Sequence, residues 1–406
     1  MRRPPVPRHL PLVALVVVTA ITVPAAATIV GDQTAALATP GNETVSQLRL
    51  PDPGVNERQR PSGDIAGVLQ AEEEKLQSTL ETRAFDRTFD AALERQSRLE
   101  TIEAEIEDLE ATAVALREAR TDAVRAYERG ELTRTALFRE LVRLRTAAVE
   151  LNGRIERLKS TVESSADVSL SSELSVRLSS VRSHLISLNG PVTEELASVV
   201  RGKTQPRSIY VTAGQDGLVL SMIDDGQFVR EATVWSARGE SGPDQFVSGT
   251  EPAPAAAYGR IEELYPWASS NLVSSPSLTG IGDTPIYVVG LTHRHGELTA
   301  YLDGRTTDVF YEVQRLSLSS LPVTTVATNA TESLSVTVDM TFKRGPVAVS
   351  VTDGSGQTID ATITVGNQTV GSTGEDGRLW LVDTDGAEHI TARTDDGDRI
   401  SVVAED

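Results

Sequence analysis

Two ladders of apolar residues at alternating spacings of three and four, split by a short polar break, constrain this chain more than any other feature. The first runs Leu99, Ile102, Ile106, Leu109, Ala113, Leu116 and weakens to Ala123 and Tyr127. The second runs Leu137, Leu141, Leu144, Ala148, Leu151, Ile155, Leu158, Val162. Steps of three and four average about 3.5 residues, the period that holds one apolar seam against a partner helix. Between the ladders, Gly130 supplies a stop and Thr133 a cap for the next helix. The spacing predicts an antiparallel coiled-coil hairpin, which serves as a spacer or docking surface more readily than as a seat of chemistry.

Upstream, Leu69, Leu76, Leu80, Phe85, Phe89 and Leu93 continue the apolar stripe with a phase shift near residue 95. The first helix is therefore expected to be long, starting near Asp64, with only its second half covered by residues 134–163. A third amphipathic stretch (Leu174, Leu178, Val181, Leu185, Leu188) ends at the stop signal Asn189-Gly190-Pro191. It is expected to cover the first half and complete a bundle over residues 63–190.

The amino end reads as a targeting segment. Arg2, Arg3 and Arg8 precede an apolar run from Leu10 to Val23, and Ala25-Ala26-Ala27 offers a small-residue cleavage site. Such a run covers about 21 Å as a helix, short of the roughly 30 Å hydrocarbon core. Residues 1–27 are thus expected to be a signal peptide cleaved after Ala27, the alternative being an uncleaved membrane anchor. Residues 28–62, rich in Pro, Gly and polar residues, read as a flexible tether. The chain has no cysteine, so neither a lipobox anchor nor disulfides are available. Export to the cell surface or medium gives meaning to three Asn-x-Thr sequons, at Asn42, Asn329 and Asn367, as glycan acceptors on exposed loops.

Charge narrows the partners. There are 58 Asp and Glu against 38 Lys and Arg, a net of −20, and of the basic residues only Lys75, Lys159, Lys203 and Lys343 are lysine. In molar salt the Debye length falls to about 3 Å, so such a surface stays hydrated without repelling itself. An extreme halophile, archaeal in origin, is the expectation. Nucleic acid is excluded as a partner because phosphate binding needs clustered Lys and Arg. A protein partner at the cell envelope is expected instead.

From residue 191 the pattern changes to short strands. Residues 209–213, 217–223 and 227–235 alternate and are split by Asp-Gly turns, residues 255–269 suit a helix, and 286–291, 297–302 and 309–316 alternate again. The stretch Gly296-Glu297-Leu298-Thr299-Ala300-Tyr301-Leu302-Asp303-Gly304-Arg305-Thr306-Thr307-Asp308-Val309-Phe310 resembles the hairpin of PepSY modules, with Asp308 where that family usually has Gly. Residues 192–235 look like a degenerate partner of the same kind. The resemblance implies a regulatory or binding module over 191–321 that accompanies exported peptidases, with no catalytic residue carried over. Residues 322–406 alternate with turns every ten residues or so, as sandwiches require. There Thr373-Gly374-Glu375-Asp376-Gly377-Arg378-Leu379 resembles a turn of carboxypeptidase-regulatory-like and Ig-like modules. The expected fold class is multidomain: α, then PepSY-like α+β, then a small all-β Ig-like sandwich. The whole order resembles exported haloarchaeal proteins of unassigned activity.

No nucleophile elbow, zinc-protease motif or phosphate loop occurs. His293 and His295 with Glu297 suggest a metal face on one strand, which would need a fourth group such as Asp303 folded back across the turn, but an exposed strand end explains them more simply. His184 and His389 read as solvated imidazoles. The acidic turns at Asp224-Asp225, Asp376 and Asp395-Asp396-Gly397-Asp398 lack calcium-loop spacing. Trp235, Trp267 and Trp380 are expected to fill small cores. The sequence therefore predicts no enzyme, no cofactor and no metal, but an exported spacer or binding scaffold, or else a PepSY-type regulator of an exported peptidase.

Overall fold

The polar break forms as a tight helix–helix turn. Gly130 takes φ +73°, and the Thr133 hydroxyl accepts from the Ala136 N–H at 3.3 Å, capping the following helix. In this computed structural model the described residues are 47–247, 252–382 and 388–404, all in one compact unit. Ala27, Asn42, the expected signal peptide and the start of the tether lie outside them.

Three long helices, α1 (Ile65–Ala91), α2 (Arg95–Glu128) and α3 (Arg134–Glu163), form the helical body. The expected single first helix is broken: Ala92 and Glu94 adopt extended backbone, and the chain reverses there. The phase shift near residue 95 marks this break, because reversal brings Phe85 and Phe89 into one core with Ile102 and Ile106. Arg98 secures the corner, donating to the Ala92 carbonyl at 2.8 Å with its guanidinium 5.2 Å from the Phe89 ring. Small buried residues (Gly67, Ala71, Ser78) let α1 approach α3. Ion pairs climb both helices in the same direction: Asp64–Arg139 (2.9 Å), Glu74–Arg143, Glu81–Arg154 (2.6 Å) and Asp86–Arg157 (3.0 Å). Buried Arg154 also reaches Glu105 and Asp108 of α2, each at 2.8 Å, so one guanidinium joins three helices.

The third amphipathic stretch becomes α4 (Ser172–Leu185) with a 3-10 turn over residues 186–188. It packs on α2, through Leu174, Leu178 and Val181 and an Arg177–Glu110 pair at 2.6 Å. It does not cover the first half of the helical run, because α3 already does.

After α5 (Pro191–Val200) come β2 (Ile209–Gly214), β3 (Gly217–Asp224) and β4 (Gln227–Val234). Then α6 (Ala253–Leu264), α7 (Pro266–Ser270), β5 (Ser277–Gly280), β6 (Ile286–His293), β7 (Gly296–Asp303) and β8 (Asp308–Ser317) follow. With β1 (Pro53–Gln59) they form one antiparallel sheet of order β1-β2-β3-β4-β8-β7-β6-β5. Two meanders thus meet edge to edge where β4 pairs with β8. Val211, Leu220 and Val229 on one face share a core with Val124 and Tyr127 of α2, Leu137 and Leu141 of α3, and Leu196 of α5. The helices therefore continue into the sheet's core and are no separate arm. The opposite face packs under Ile261 and Tyr265, with Leu48 and Leu50 in the same core. This corrects the flexible tether for its described part, because β1 pairs with β2 along Val55–Gln59 and Leu48 is 1% exposed.

Eight further strands close the chain: β9 (Thr324–Ala330), β10 (Leu334–Met340), β11 (Pro346–Asp353), β12 (Thr362–Val365), β13 (Gln368–Ser372), β14 (Arg378–Val382), β15 (Glu388–Arg393) and β16 (Arg399–Ala404). They make two four-stranded sheets, β14-β11-β10-β9 and β13-β12-β15-β16, around Val336, Val349, Val351, Ile363, Ile390 and Ile400. Buried Thr373 explains its turn motif, donating to the Ile359 carbonyl (3.0 Å) and accepting from the Ala361 N–H (2.9 Å). A small cluster of Tyr210, Phe228, Leu316, Phe342 and Val382 joins this sandwich to the large sheet.

Candidate functional site

The two histidines are placed by the β6–β7 turn. His293 pairs with Gly296 and Thr292 with Glu297, so the tight turn sends Glu297 to the opposite face. His293 and His295 are 3% and 9% exposed, which corrects the exposed strand end. The indole of Trp267 on α7 stacks on His295 at 5.0 Å and meets His293 edge-on at 5.3 Å. The His295 N–H donates to His293 Nδ1 at 3.3 Å. Burial, with His295 beside it, pushes the His293 imidazole down to about 4. Asp303 sits at the far end of β7, accepting from the N–H groups of Arg305 (2.8 Å) and Gly239 (3.1 Å). Among the described residues no three His, Asp or Glu side chains gather in a metal-holding group. His184 is half-buried and not solvated; burial and then Arg238, Arg117 and Arg305 push it down to about 4. His389 is exposed. In the acidic turns, Asp224 pairs with Arg207, Asp376 accepts from the Arg378 N–H, and Asp395, Asp396 and Asp398 are exposed.

Two buried carboxylates carry structure that the sequence reading missed. Glu231 on β4 accepts from the N–H groups of Val192 (3.0 Å) and Thr193 (3.2 Å), capping the start of α5. The approach is so close that Gly190 has no room for a Cβ. Glu312 on β8 faces the other way. It accepts from Arg230 (2.7 Å), Tyr265 (2.7 Å) and the Leu48 N–H (2.8 Å). Each carboxylate has polar neighbours on its own strand, Glu231 beside Arg230 and Glu312 two residues from Gln314, so no local signal singled it out.

Between α2 and the β4–β8 seam lies a cleft of about 350 Å³. Four arginines line it: Arg117, Arg120 and Arg125 from α2, and Arg238 from the turn after β4. Arg120 is buried, with its guanidinium 5.1 Å from the Trp235 ring; it donates to the Ser187 carbonyl (2.5 Å) and Thr233 Oγ1 (3.0 Å). Arg238 lies 4.7 Å from the Phe310 ring and donates to Ser183 Oγ at 2.7 Å. Burial above all pulls Arg238 down to about 10, and Asp303 offsets part of that.

A second feature lies on α1. Ile65, Leu69, Leu76 and Leu80 are 82%, 65%, 61% and 58% exposed. At 100° per residue they fall within about 60° of arc, roughly opposite Ala71, Ser78, Phe85 and Phe89. The stripe read as one in the sequence is therefore two, of which only the Phe side is covered among the described residues. Among the sequons, Asn367 lies in the exposed β12–β13 turn, whereas Asn329 is on strand β9 and not on a loop. Its amide donates to the Ser401 carbonyl at 2.7 Å. The three tryptophans are partly buried and pack against cores, as expected.

Three family models match successive parts of the chain. Residues 9–205 match the family model described as a domain of unknown function (DUF7096), and residues 209–322 match a family of unknown function (DUF7094). None of the matching models is a PepSY one. No curated protein and no solved structure matches the chain. Among the described residues no helix is long and apolar enough to cross a membrane. Residues 325–401 match the archaeal fibronectin-III type-like domain, which supports an Ig-like β-sandwich at the C-terminal end of an archaeal protein.

Proposed function

We propose that the protein is a non-enzymatic binding scaffold, exported to an archaeal cell surface by cleavage after Ala27, that docks a helix of a protein partner on α1. The carrying observation is the bare stripe of Ile65, Leu69, Leu76 and Leu80. Its spacing of four, seven and four is what a helix presents to a second helix, and solvent gives no reason to keep it apolar. Glu72, Glu73 and Lys75 flank it with charge, as in the rims of helix pairs. Fibronectin-like sandwiches are common in extracellular proteins, which suits export, as do sequons at Asn42 and Asn367.

The test compares the intact chain with Leu69→Gln/Leu76→Gln, cross-linked at the envelope of the producing cell. One defined partner, cross-linked through α1 and lost with the variant, is expected. Equal capture by both chains, or a homodimer by light scattering that the variant abolishes, overturns the reading. The second reading is a regulator of an exported peptidase. The order of helix, strands and stapled 303–308 turn, which resembles PepSY modules, favours it. Inhibition of a neighbouring exported peptidase by the intact chain would support it.

A further inference from the structure

We propose that the arginine-lined cleft between α2 and the β4–β8 seam binds a small organic oxyanion, a carboxylate or phosphomonoester carried on a flat apolar body. The cleft's about 350 Å³ falls in the range of small-molecule sites. Arg238 Nη1 and Trp235 Nε1 are buried without a hydrogen-bond partner among the described residues, and both groups only donate. Leaving such donors dry is unfavourable, and an anionic oxygen is the partner they fit best.

Charge is sorted in the same sense. The acidic lining residues Glu118, Asp122 and Glu240 are exposed, and Glu240 faces Arg117 at 3.5 Å. Arg120 and Arg238 lie inside, in contact with the Trp235 and Phe310 rings. Half-buried His184 is held neutral by burial and by Arg238, Arg117 and Arg305, which reports a positive field at this place. Leu188, Val234, Trp235 and Phe310 supply apolar surface for the body of the ligand.

The proposal is independent of partner docking on α1. Its test is calorimetric titration of the intact chain, at one fixed chloride concentration, with phenyl phosphate, benzoate and neutral benzyl alcohol. Either aryl anion is expected to saturate one site per chain, the better binder identifying the headgroup, while benzyl alcohol does not bind. Arg238→Met is expected to weaken binding about tenfold or more. Trp235→Phe, which keeps the shape and removes one donor, is expected to weaken it several-fold and keeps the test valid should Arg238→Met fail to fold. Arg157→Met, distant on α3, is expected to bind as wild type. Absence of saturation by both anions, equal binding of benzyl alcohol, or undiminished binding in folded Arg238→Met and Trp235→Phe would overturn the site.

Discussion

The guanidinium of Arg230 meets the carboxylate of Glu312 at 2.7 Å across the seam where the two meanders join, with both side chains buried. The pair does more than cancel charge. Arg230 also donates to the Leu48 carbonyl, while Glu312 accepts from the Leu48 N–H and from Tyr265, whose residue caps the start of α7. One buried pair thereby fixes the segment before β1, the α6–α7 corner and both meanders. Burial pushes the Glu312 carboxyl up, while Arg230 is the largest influence holding it ionised.

Removing one member of such a pair leaves a charge without a partner. Arg230→Met is expected to destabilise the fold by about 3–5 kcal/mol. Arg230→Met with Glu312→Leu is expected to recover much of that, since an apolar pair of similar volume replaces a desolvated ion pair. Denaturant melts of the four chains form a double-mutant cycle, and simple additivity would show the two residues to be uncoupled.

The two faces of α1 make opposite predictions from residues only five apart. Leu80→Gln, on the bare stripe, is expected to change stability by no more than about 0.5 kcal/mol. Phe85→Ala, 6% exposed beside Phe89, is expected to cost about 3–5 kcal/mol. Equal effects in thermal melts would place α1 wrongly about its own axis.

The α2–α3 seam was the most legible part of the chain. Ile106 and Leu151 are 0% and 2% exposed, whereas Glu103 points to solvent. Ile106→Asp or Leu151→Asp is expected to destabilise by a few kcal/mol, because each puts a carboxylate in an apolar core. Glu103→Lys is expected to stay within about 0.5 kcal/mol. Melts in molar NaCl separate the three.

Legibility failed where long-range packing overrides local pattern. The alternating strands of both meanders were visible, because one buried face leaves a period of two. The short strand β1 was not. Pro53-Gly54 reads as part of a flexible tether, and only the open edge of β2, which is remote in sequence, favours Val55–Gln59 as a strand. Helix α1 misled for a different reason: its apolar residues lie on two faces, and a list of positions without their angles merges them. Glu231 and Glu312 sit in strands with other polar residues, and their partners Thr193, Tyr265 and Leu48 lie 38 to 264 residues away. The arginines of the cleft come from α2 and from the turn after β4, and no local motif joins them.

Buried histidines give the last prediction its sign. His293, against Trp267, is pulled from an ordinary 6.5 down to about 4, and half-buried His184 likewise. The unfolded chain therefore takes up these protons near pH 6.5, while the folded chain resists until about pH 4. Their contribution to stability is complete above pH 6.5, shrinks as pH falls through this window, and levels off below pH 4. Allowing for partial solvent screening, His293 alone accounts for about 2 kcal/mol of that loss. Carboxylates lose stability over an overlapping range, so the wild-type curve alone does not isolate the histidines. His184→Gln/His293→Gln does: its melting temperature is expected to fall less steeply than that of the wild type between pH 7 and pH 4.5, in the same molar NaCl. Parallel curves would mean that neither imidazole is held neutral by the fold, and that the Trp267 cluster is open to water.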